Sequence, residues 1–387
     1  MAKVAEFIAS YLPHHLRREM KELYASTVIL NFAVSMIQIF EPVYLYTLGF
    51  PLQKIILFFL IVYAAYFLLM PLGARFAKWF GYEHSIVLST IIFILYYALF
   101  YAIAWYPWLL YVAPLLYALQ KTFYWPAFHA DFVSFADAHE ESREIGGMTV
   151  IVLLIAVIAP IVSGIIIALW GFGALFAVVA LVFICSNVPL LSTLEQFEPK
   201  PFKYVDTYKR IFAAENRRSL FAYLGYGEEL IVLVVWPIFM VIVIKNLLGL
   251  GLVAGLSTLI TVVVTMFIGR TSDHRNKRFI LRFGDGIYAI VWLLRLFVTT
   301  VGGVLLIDTL STVSKNIVSV PLMALTYERA RQKSIMQTVV FFEMSLVVGK
   351  LIALVLVYAI LFFVPSMYVY QTAFVLAAGM SLLYTLL

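Results

Sequence analysis

Residues 269–278 read Gly269-Arg-Thr-Ser-Asp273-His-Arg275-Asn-Lys277-Arg278, a polar and strongly basic stretch between two long apolar runs. The run before it covers about 248–269, and the run after it covers about 283–301. A helix needs about 20 apolar residues to cross the roughly 30 Å hydrocarbon core of a bilayer. Both runs are long enough, so the stretch is predicted to be a short loop between two membrane spans.

The rest of the chain has the composition of a membrane protein. Of its 387 residues, 64% are hydrophobic and 12% are charged, whereas soluble domains contain roughly 45–50% apolar and about 25% charged residues. Too few polar side chains are present to cover a water-facing surface. This excludes a soluble enzyme, a nucleic-acid-binding domain and a disordered chain. The single cysteine, Cys185, excludes an internal disulfide framework and a cysteine-based zinc site.

Further apolar runs extend outward in both directions and predict an all-α polytopic protein with twelve transmembrane helices. A cytoplasmic amphipathic segment, 1–24, precedes a six-helix bundle at 25–191, and a cytoplasmic central loop at 192–218 leads to a second bundle at 219–387. The predicted spans lie near 25–48, 52–73, 84–105, 108–135, 146–169, 172–191, 219–244, 248–269, 283–301, 303–326, 336–362 and 366–386.

The placement of the basic residues predicts the orientation. Lys and Arg concentrate in one set of connections, around Arg75 and Lys78, in 200–218, in 270–282 and in 329–333. Cytoplasmic loops of membrane proteins carry such an excess, so both termini are expected in the cytoplasm. The net charge of +6 therefore reflects topology, and we expect no nucleic-acid partner. The predicted location is the plasma or inner cell membrane, where the bilayer is the protein's main partner.

Landmarks in the two predicted bundles repeat at one offset. Pro42 and Pro237 are 195 residues apart, as are Pro126 and Pro321, and Gly73 and Gly269 are 196 apart. Internal repeats of this kind are common in transporter folds. The pattern predicts a duplicated six-helix unit.

Residues 269–278 resemble a loop that the major facilitator superfamily repeats between spans 2 and 3 and spans 8 and 9. The family pattern is Gly, three residues, Asp and a basic cluster, matched by Gly269, Asp273, Arg275, Lys277 and Arg278. Glycine permits a tight helix end, Asp accepts hydrogen bonds from a helix N-terminus, and the basic residues meet lipid headgroups.

The first-half copy keeps Gly73 and Lys78 but has Ala77 where the family has Asp. The resemblance covers nearly the whole chain and implies a gating role for this loop. Residues 156–164 also resemble a Pro-containing motif of the family's antiporters, with alanines in place of glycines. This slightly favours antiport or efflux, although small residues at that place also suit helix packing.

In this family, spans 1, 4, 7 and 10 line a central cavity. Ionisable groups inside a membrane are costly and usually face a cavity or a partner. The deep charges fall on these spans and on span 11, with Arg295 in span 9 as the exception that snorkels outward in the simplest interpretation. The candidate substrate- or proton-binding residues are Glu41, Lys121, Tyr124, Trp125, Glu228, Glu229, Asp308, Lys315, Glu343 and Lys350.

Depth and spacing predict different roles within this set. At a rise of 1.5 Å per residue, Glu229 lies roughly 15 Å from its cytoplasmic helix end, and Lys121 and Lys315 lie roughly 18–20 Å from their outer ends. Glu41 belongs to the outer third and suits a gate. Asp308, near its helix end, is either a site residue or simply solvated. Glu343 and Lys350, two turns apart, either face groups on other helices or pair to hold the halves together.

Glu228 and Glu229 supply the expected coupling chemistry. Two adjacent carboxyls in a low-dielectric site cannot both stay ionised cheaply, so we expect one of them to exchange a proton near neutral pH. Lys121 and Lys315 together favour an anionic substrate group if the carboxyls are protonated. The chain contains no nucleotide-binding loop of the form G-x-x-x-x-G-K-[ST].

The leading hypothesis is a monomeric secondary active transporter that moves a small organic molecule by alternating access, coupled to protons and without a cofactor or metal. A lipid flippase or an uncoupled facilitator on the same fold is the alternative. A remote alternative is a membrane-embedded enzyme, with an acid–base or metal site at His129, Asp131 and His139. It is remote because the six histidines form no recognisable metal motif.

Overall fold

The computed structural model describes residues 18–135, 141–192, 208–209, 211, 213–268, 277–332 and 335–387, and within these ranges the regular structure is entirely helical. Most of the predicted N-terminal segment and central loop lies outside the described residues. So do Gly269, Asp273, Arg275 and His139. The first half of the chain is used below for residues up to 192, and the second half for residues from 213 onward.

The helices of the first half coincide with the predicted spans. Span 1 is divided into α1 (Arg18–Ile37) and α2 (Phe40–Thr47). α3 (Leu52–Phe80), α4 (Tyr82–Ala102) and α5 (Ala113–Phe135) follow. α6 (Glu141–Ser186) covers both predicted spans 5 and 6, and its direction changes at Gly171, where φ is 81° and ψ is 178°. Gly171 lies in the connection that hydropathy places between these spans.

The second half begins with a segmented helix. α7 (Arg217–Leu224), α8 (Gly227–Leu230), a π-helical turn (Ile231–Val235) and α9 (Trp236–Ile244) together occupy predicted span 7. Such π-helical turns are often found at functional sites. The remaining helices are α10 (Leu247–Ile268), α11 (Lys277–Leu294), α12 (Val301–Gln332), α13 (Ile335–Phe363) and α14 (Val369–Ser381).

Eight helical segments of the described chain are long and apolar enough to cross a membrane by length and composition, and residues 247–263 form a shorter apolar helix. The prediction of an all-helical, multi-pass membrane protein is confirmed. The count of twelve spans, the two-bundle division and the cytoplasmic termini stay predictions.

Small residues let helices from the two halves approach closely. A Cβ atom on Gly251 would lie 2.3 Å from the carbonyl oxygen of Pro160, and one on Gly255 would lie 2.6 Å from that of Val157. α10 therefore packs backbone to backbone against the antiporter-like segment 156–164 of α6. This contact explains the small residues of that segment by packing alone.

The predicted second span ends at Gly73, but the helix in the structure does not. α3 continues past Gly73 to Phe80, and the chain turns at Gly81, whose φ is 107°. The apolar run marks where the sequence changes character, whereas residues 74–80 contain no Gly or Pro to stop the helix. Gly73 instead faces α5: a Cβ atom there would lie 1.9 Å from the carbonyl oxygen of Thr122.

We expect Gly73→Ala to destabilise the protein because the added methyl group forces α3 and α5 apart. Overpacking of this kind costs about 1–3 kcal/mol, which lowers the midpoint of thermal unfolding in detergent by several degrees. Gly286→Ala in α11 is the matched control, since a Cβ atom there meets nothing within 4 Å. Equal unfolding midpoints for the two variants would contradict the close approach of α3 and α5.

Candidate functional site: a charged cavity between the halves

A cavity of about 580 Å³ lies between helices of the two halves. This volume is within the roughly 300–1,000 Å³ typical of small-molecule sites. The candidate residues Tyr124 and Trp125 line it, whereas Glu228 does not. The ionisable residues that line the cavity are Glu41, Lys121, His129, Glu229, Arg295, Asp308, Lys315, Glu343 and Lys350, together with several tyrosines.

Glu228 is fully buried behind the cavity wall. Its carboxylate forms a close ion pair with the Nζ of Lys315, and it accepts hydrogen bonds from the hydroxyl of Tyr288 at 2.6 Å and of Tyr384 at 3.1 Å. The Lys315 Nζ also donates to the Tyr384 hydroxyl at 3.0 Å. Glu228 thus anchors Lys315 and does not itself line the cavity, so its role in substrate or proton binding stays a prediction.

Glu229 faces the cavity between two lysines. Its Oε2 lies 2.8 Å from the Nζ of Lys350, and its Oε1 lies 3.6 Å from the Nζ of Lys315. The sequence shows two adjacent carboxylates, and the structure adds two ammonium groups to the same cluster. The repulsion between the carboxylates is therefore compensated, and it does not by itself require one of them to be neutral.

Two glycines hold this cluster in place. A Cβ atom on Gly227 would lie 2.5 Å from the carbonyl oxygen of Gly349, so α8 and α13 are in backbone contact immediately beside Glu228 and Lys350. A Cβ atom on Gly225 would lie 2.9 Å from the ring of Tyr384. A side chain at Gly227 would push α8 away from α13, and one at Gly225 would press on the Tyr384 ring, whose hydroxyl bonds to Glu228 and Lys315.

Glu343 does not pair with Lys350, as the two-turn spacing left open. One carboxylate oxygen lies 3.0 Å from the Nε2 of His129, and the other accepts a hydrogen bond of 2.8 Å from the Tyr66 hydroxyl. The Nδ1 of His129 lies 2.6 Å from the Tyr327 hydroxyl. We call Tyr66, His129, Tyr327 and Glu343 the crossing network, because its first two residues belong to the first half and its last two to the second.

Sequence reasoning considered His129 only for an enzyme and missed this network. A usable signal was present, since Lys121, Trp125 and His129 are spaced by four residues and so share one face of α5. No pattern indicates Tyr66 or Tyr327, because tyrosine is frequent throughout the chain and its hydroxyl partner is set by tertiary packing. All four side chains of the crossing network are buried.

Of the two alternatives for Asp308, the structure favours the site residue, because Asp308 lines the cavity and accepts hydrogen bonds from the Trp236 indole at 2.9 Å and from the Ser257 hydroxyl at 2.6 Å. The prediction for Arg295 is wrong. Arg295 does not snorkel outward, since it is 1% exposed. Its guanidinium lies 3.7 Å from the ring centre of Trp292 and 4.4 Å from that of Trp236, where cation–π attraction stabilises the buried charge.

Glu41 and Lys121 are held mainly by tyrosines. The Glu41 carboxylate is buried and accepts a hydrogen bond of 2.6 Å from the Tyr97 hydroxyl. The Lys121 Nζ lies 4.4 Å from the ring centre of Tyr117 and 5.7 Å from that of Tyr63. Glu41 is on α2, which packs against α9 of the second half, a location consistent with the predicted outer gate.

The described part of the loop motif contributes an ion pair between helices. Lys277, at the start of α11, pairs closely with Glu328 of α12, and both side chains are more than a third exposed. Arg278 is exposed, and Lys78 lies near the end of α3. The gating role of this loop stays a prediction, because its Gly269, Asp273 and Arg275 are outside the described residues.

A helical bundle with charged groups gathered in a cavity between its halves is the architecture of a multi-pass membrane transporter. The chain belongs to the major facilitator superfamily: the sequence model of that family matches residues 23–248, more than half of the chain. No curated protein matches it. Members of this family are transporters, which supports a non-enzymatic function. Among the described residues, no three His, Cys, Asp or Glu side chains are grouped to hold a metal ion.

We expect Lys315→Met to destabilise the protein by about 3–5 kcal/mol, because it leaves the buried Glu228 carboxylate without its counter-charge. Adding Glu228→Gln should recover most of this loss, since the remaining amide is uncharged. Thermal unfolding in detergent measures both changes. Lys54→Met on the exposed start of α3 is the control and should stay within about 0.5 kcal/mol of the wild type. Full additivity of the two substitutions would show that Lys315 and Glu228 are not coupled.

Proposed function

We propose that the protein is a secondary active transporter that carries a small organic molecule through the central cavity by alternating access, coupled to protons. The observation that carries this proposal is the cavity itself, of about 580 Å³, with ionisable groups from both halves on its walls. A passive structural role would give no reason to keep so many charges at this depth in an apolar chain.

Alternating access is supported by contacts on two sides of the cavity. The crossing network joins α3 and α5 to α12 and α13, and with the predicted orientation it lies on the cytoplasmic side. On the opposite side, α2 packs against α9. Opening the cavity in either direction requires one of these closures to separate while the other holds, which is the motion that alternating access describes.

Proton coupling is supported by the position of Glu229 rather than by repulsion from Glu228. Glu229 contacts two lysines and is 29% exposed at its side chain, so it is the cluster carboxylate that a proton or a solute can reach. Each elementary charge that moves through 100 mV supplies about 2.3 kcal/mol. Antiport rests on the resemblance of residues 156–164 alone, and their packing against α10 is independent of the direction of transport.

We expect Glu229→Gln to abolish pH-dependent transport while the protein still folds, because the amide keeps the shape of the side chain but cannot exchange a proton. The measurement is uptake into liposomes, with and without an imposed pH gradient, of a solute that stabilises the purified protein. Glu215→Gln is the matched control, since Glu215 is exposed and does not line the cavity.

Wild-type pH dependence in the Glu229→Gln protein would contradict the assignment of Glu229. Uptake by the wild type that ignores the pH gradient would instead indicate an uncoupled facilitator. Movement of a fluorescent phospholipid between leaflets, without solute uptake, would indicate a flippase.

We expect Tyr66→Phe to weaken the closure formed by the crossing network, because it removes one hydrogen bond to the Glu343 carboxylate. A hydrogen bond to a charged group contributes about 1.5–3 kcal/mol, so opening on that side should become about tenfold more frequent or greater. A cysteine at Asn31, which lines the cavity, reports this in a background without Cys185 as a faster reaction with a membrane-impermeant maleimide.

The control for this experiment is Tyr358→Phe, at a tyrosine whose ring packs on Phe362 in the same helix, α13. Its labelling rate should equal that of the parent protein. An unchanged rate in Tyr66→Phe would argue that the crossing network is not a gate.

A further inference from the structure

Lys121 differs from the other two cavity lysines. Lys315 and Lys350 each contact a carboxylate, whereas Lys121 has no acidic partner within 4.0 Å among the described residues and lies instead against the rings of Tyr63 and Tyr117. Glu41 attracts it electrostatically over a longer distance, but that carboxylate is occupied by Tyr97. A positive charge therefore faces the cavity without a direct counter-charge.

The acidic groups of the cavity show the opposite situation. Lysines hold Glu229, Trp236 and Ser257 hold Asp308, and the crossing network holds Glu343. A cationic solute would find no carboxylate in the described cavity without a donor already bound to it. Lys121 carries a positive charge without a direct acidic partner, and such a charge is unfavourable away from water. A bound anion would supply the counter-charge.

Lys350 lies beside the same aromatic ring as Lys121. The two Nζ atoms are 5.7 Å and 5.3 Å from the ring centre of Tyr63, so they lie at most about 11 Å apart. Lysine side chains are flexible, and a small movement of the two ammonium groups brings them onto one carboxylate. An ammonium group has three donor hydrogens, and Lys350 uses one of them on Glu229. Lys121 is on α5 of the first half and Lys350 on α13 of the second, so an anion between them would contact both halves.

The wall around this pair is aromatic. Phe59, Tyr124 and Trp125 line the cavity together with Tyr63, and Tyr124 stacks on Phe128 with ring centres 5.5 Å apart. Such a surface suits the apolar body of a solute whose charged end is bound by the lysines.

We propose that the transported solute is an amphipathic organic anion whose carboxylate binds Lys121 and Lys350 beside the Tyr63 ring. This inference rests on the proposed transport function and assigns the substrate class of the same cavity. It keeps Lys121 from the pair that the sequence favoured and replaces Lys315 with Lys350, because Glu228 and Tyr384 already satisfy the Lys315 side chain. A carboxylate at Lys350 competes with Glu229 and frees the latter to take up a proton, so solute binding and protonation become linked.

The test uses four probes with one carbon skeleton and different charges: 3-phenylpropionate, 3-phenylpropanamide, 3-phenylpropylamine and phenylalanine. Thermal unfolding of the purified full chain in detergent is measured with each. We expect 3-phenylpropionate to raise the unfolding midpoint and the other three to raise it less. The increase should disappear in Lys121→Gln and persist in part in Lys121→Arg.

Lys54→Gln is the matched control, because Lys54 also lies against an aromatic ring, 5.8 Å from the centre of Phe50, but is exposed outside the cavity. It should respond to 3-phenylpropionate as the wild type does. Folding is checked without probe: Lys121→Gln should unfold at or above the wild-type temperature because it removes an unpaired charge, whereas Lys350→Gln should unfold lower because it leaves Glu229 less compensated.

The proposal is overturned if 3-phenylpropionate fails to stabilise the wild type, if its effect survives undiminished in Lys121→Gln, or if the amine or the amide stabilises as much. Stronger stabilisation by phenylalanine would replace the anion with a zwitterion. Glu229-dependent uptake of a cationic or neutral solute would overturn the anion class and leave the proposed transport function standing. Carboxylate binding at Lys121 with no transport in liposomes would overturn the proposed transport function and leave the assigned anion site standing.

Discussion

The chain of charges Glu228–Lys315–Glu229–Lys350 is the interaction on which the rest of the cavity depends. Breaking a buried ion pair by removing one partner is strongly destabilising, because it leaves an uncompensated charge in a medium of low dielectric. Here two carboxylates and two ammonium groups alternate, so each charge lies beside one of opposite sign. The close packing of Gly227 on Gly349 is what allows helices from distant parts of the sequence to bring these groups together.

Hydropathy predicted where most of the helices lie, and the cost of intramembrane charge predicted most of the charged residues that line the cavity, although not Arg295 or His129. Neither argument could predict which residues pair with one another. Glu228 and Glu229 are neighbours in sequence, but successive residues of a helix point about 100° apart, so one carboxylate enters the protein interior and the other the cavity. The prediction that a helix ends at Gly73 was wrong for a related reason. An apolar run shows which residues a bilayer accepts, whereas the role of Gly73 depends on its close contact with Thr122 of another helix, α5.

The partners of Arg295 and His129 could not be predicted from the sequence either, and several of these partners are aromatic residues. A lone arginine near the end of an apolar span normally extends to the interface. Here two tryptophan rings, from α9 and α11, and a hydrogen bond of 2.7 Å to the Ser311 hydroxyl stabilise the buried guanidinium. His129 gains its role from Tyr327 and Glu343, both about 200 residues away in sequence. Tertiary partners at such separations leave no local pattern.

The distribution of these contacts between the halves determines what a rocking motion has to break. The ion pairs of the charge chain, and the bonds of Asp308 to Trp236 and Ser257, all lie within the second half, so they move as one unit. Of the cavity carboxylates that the structure describes, Glu343 is the one whose partners belong to the other half. In the proposed mechanism, a proton or solute therefore alters the charge chain without directly opening the proposed gate at the crossing network. It biases the proposed motion only if binding also involves the first half, and Lys121 is the first-half cation placed to do so.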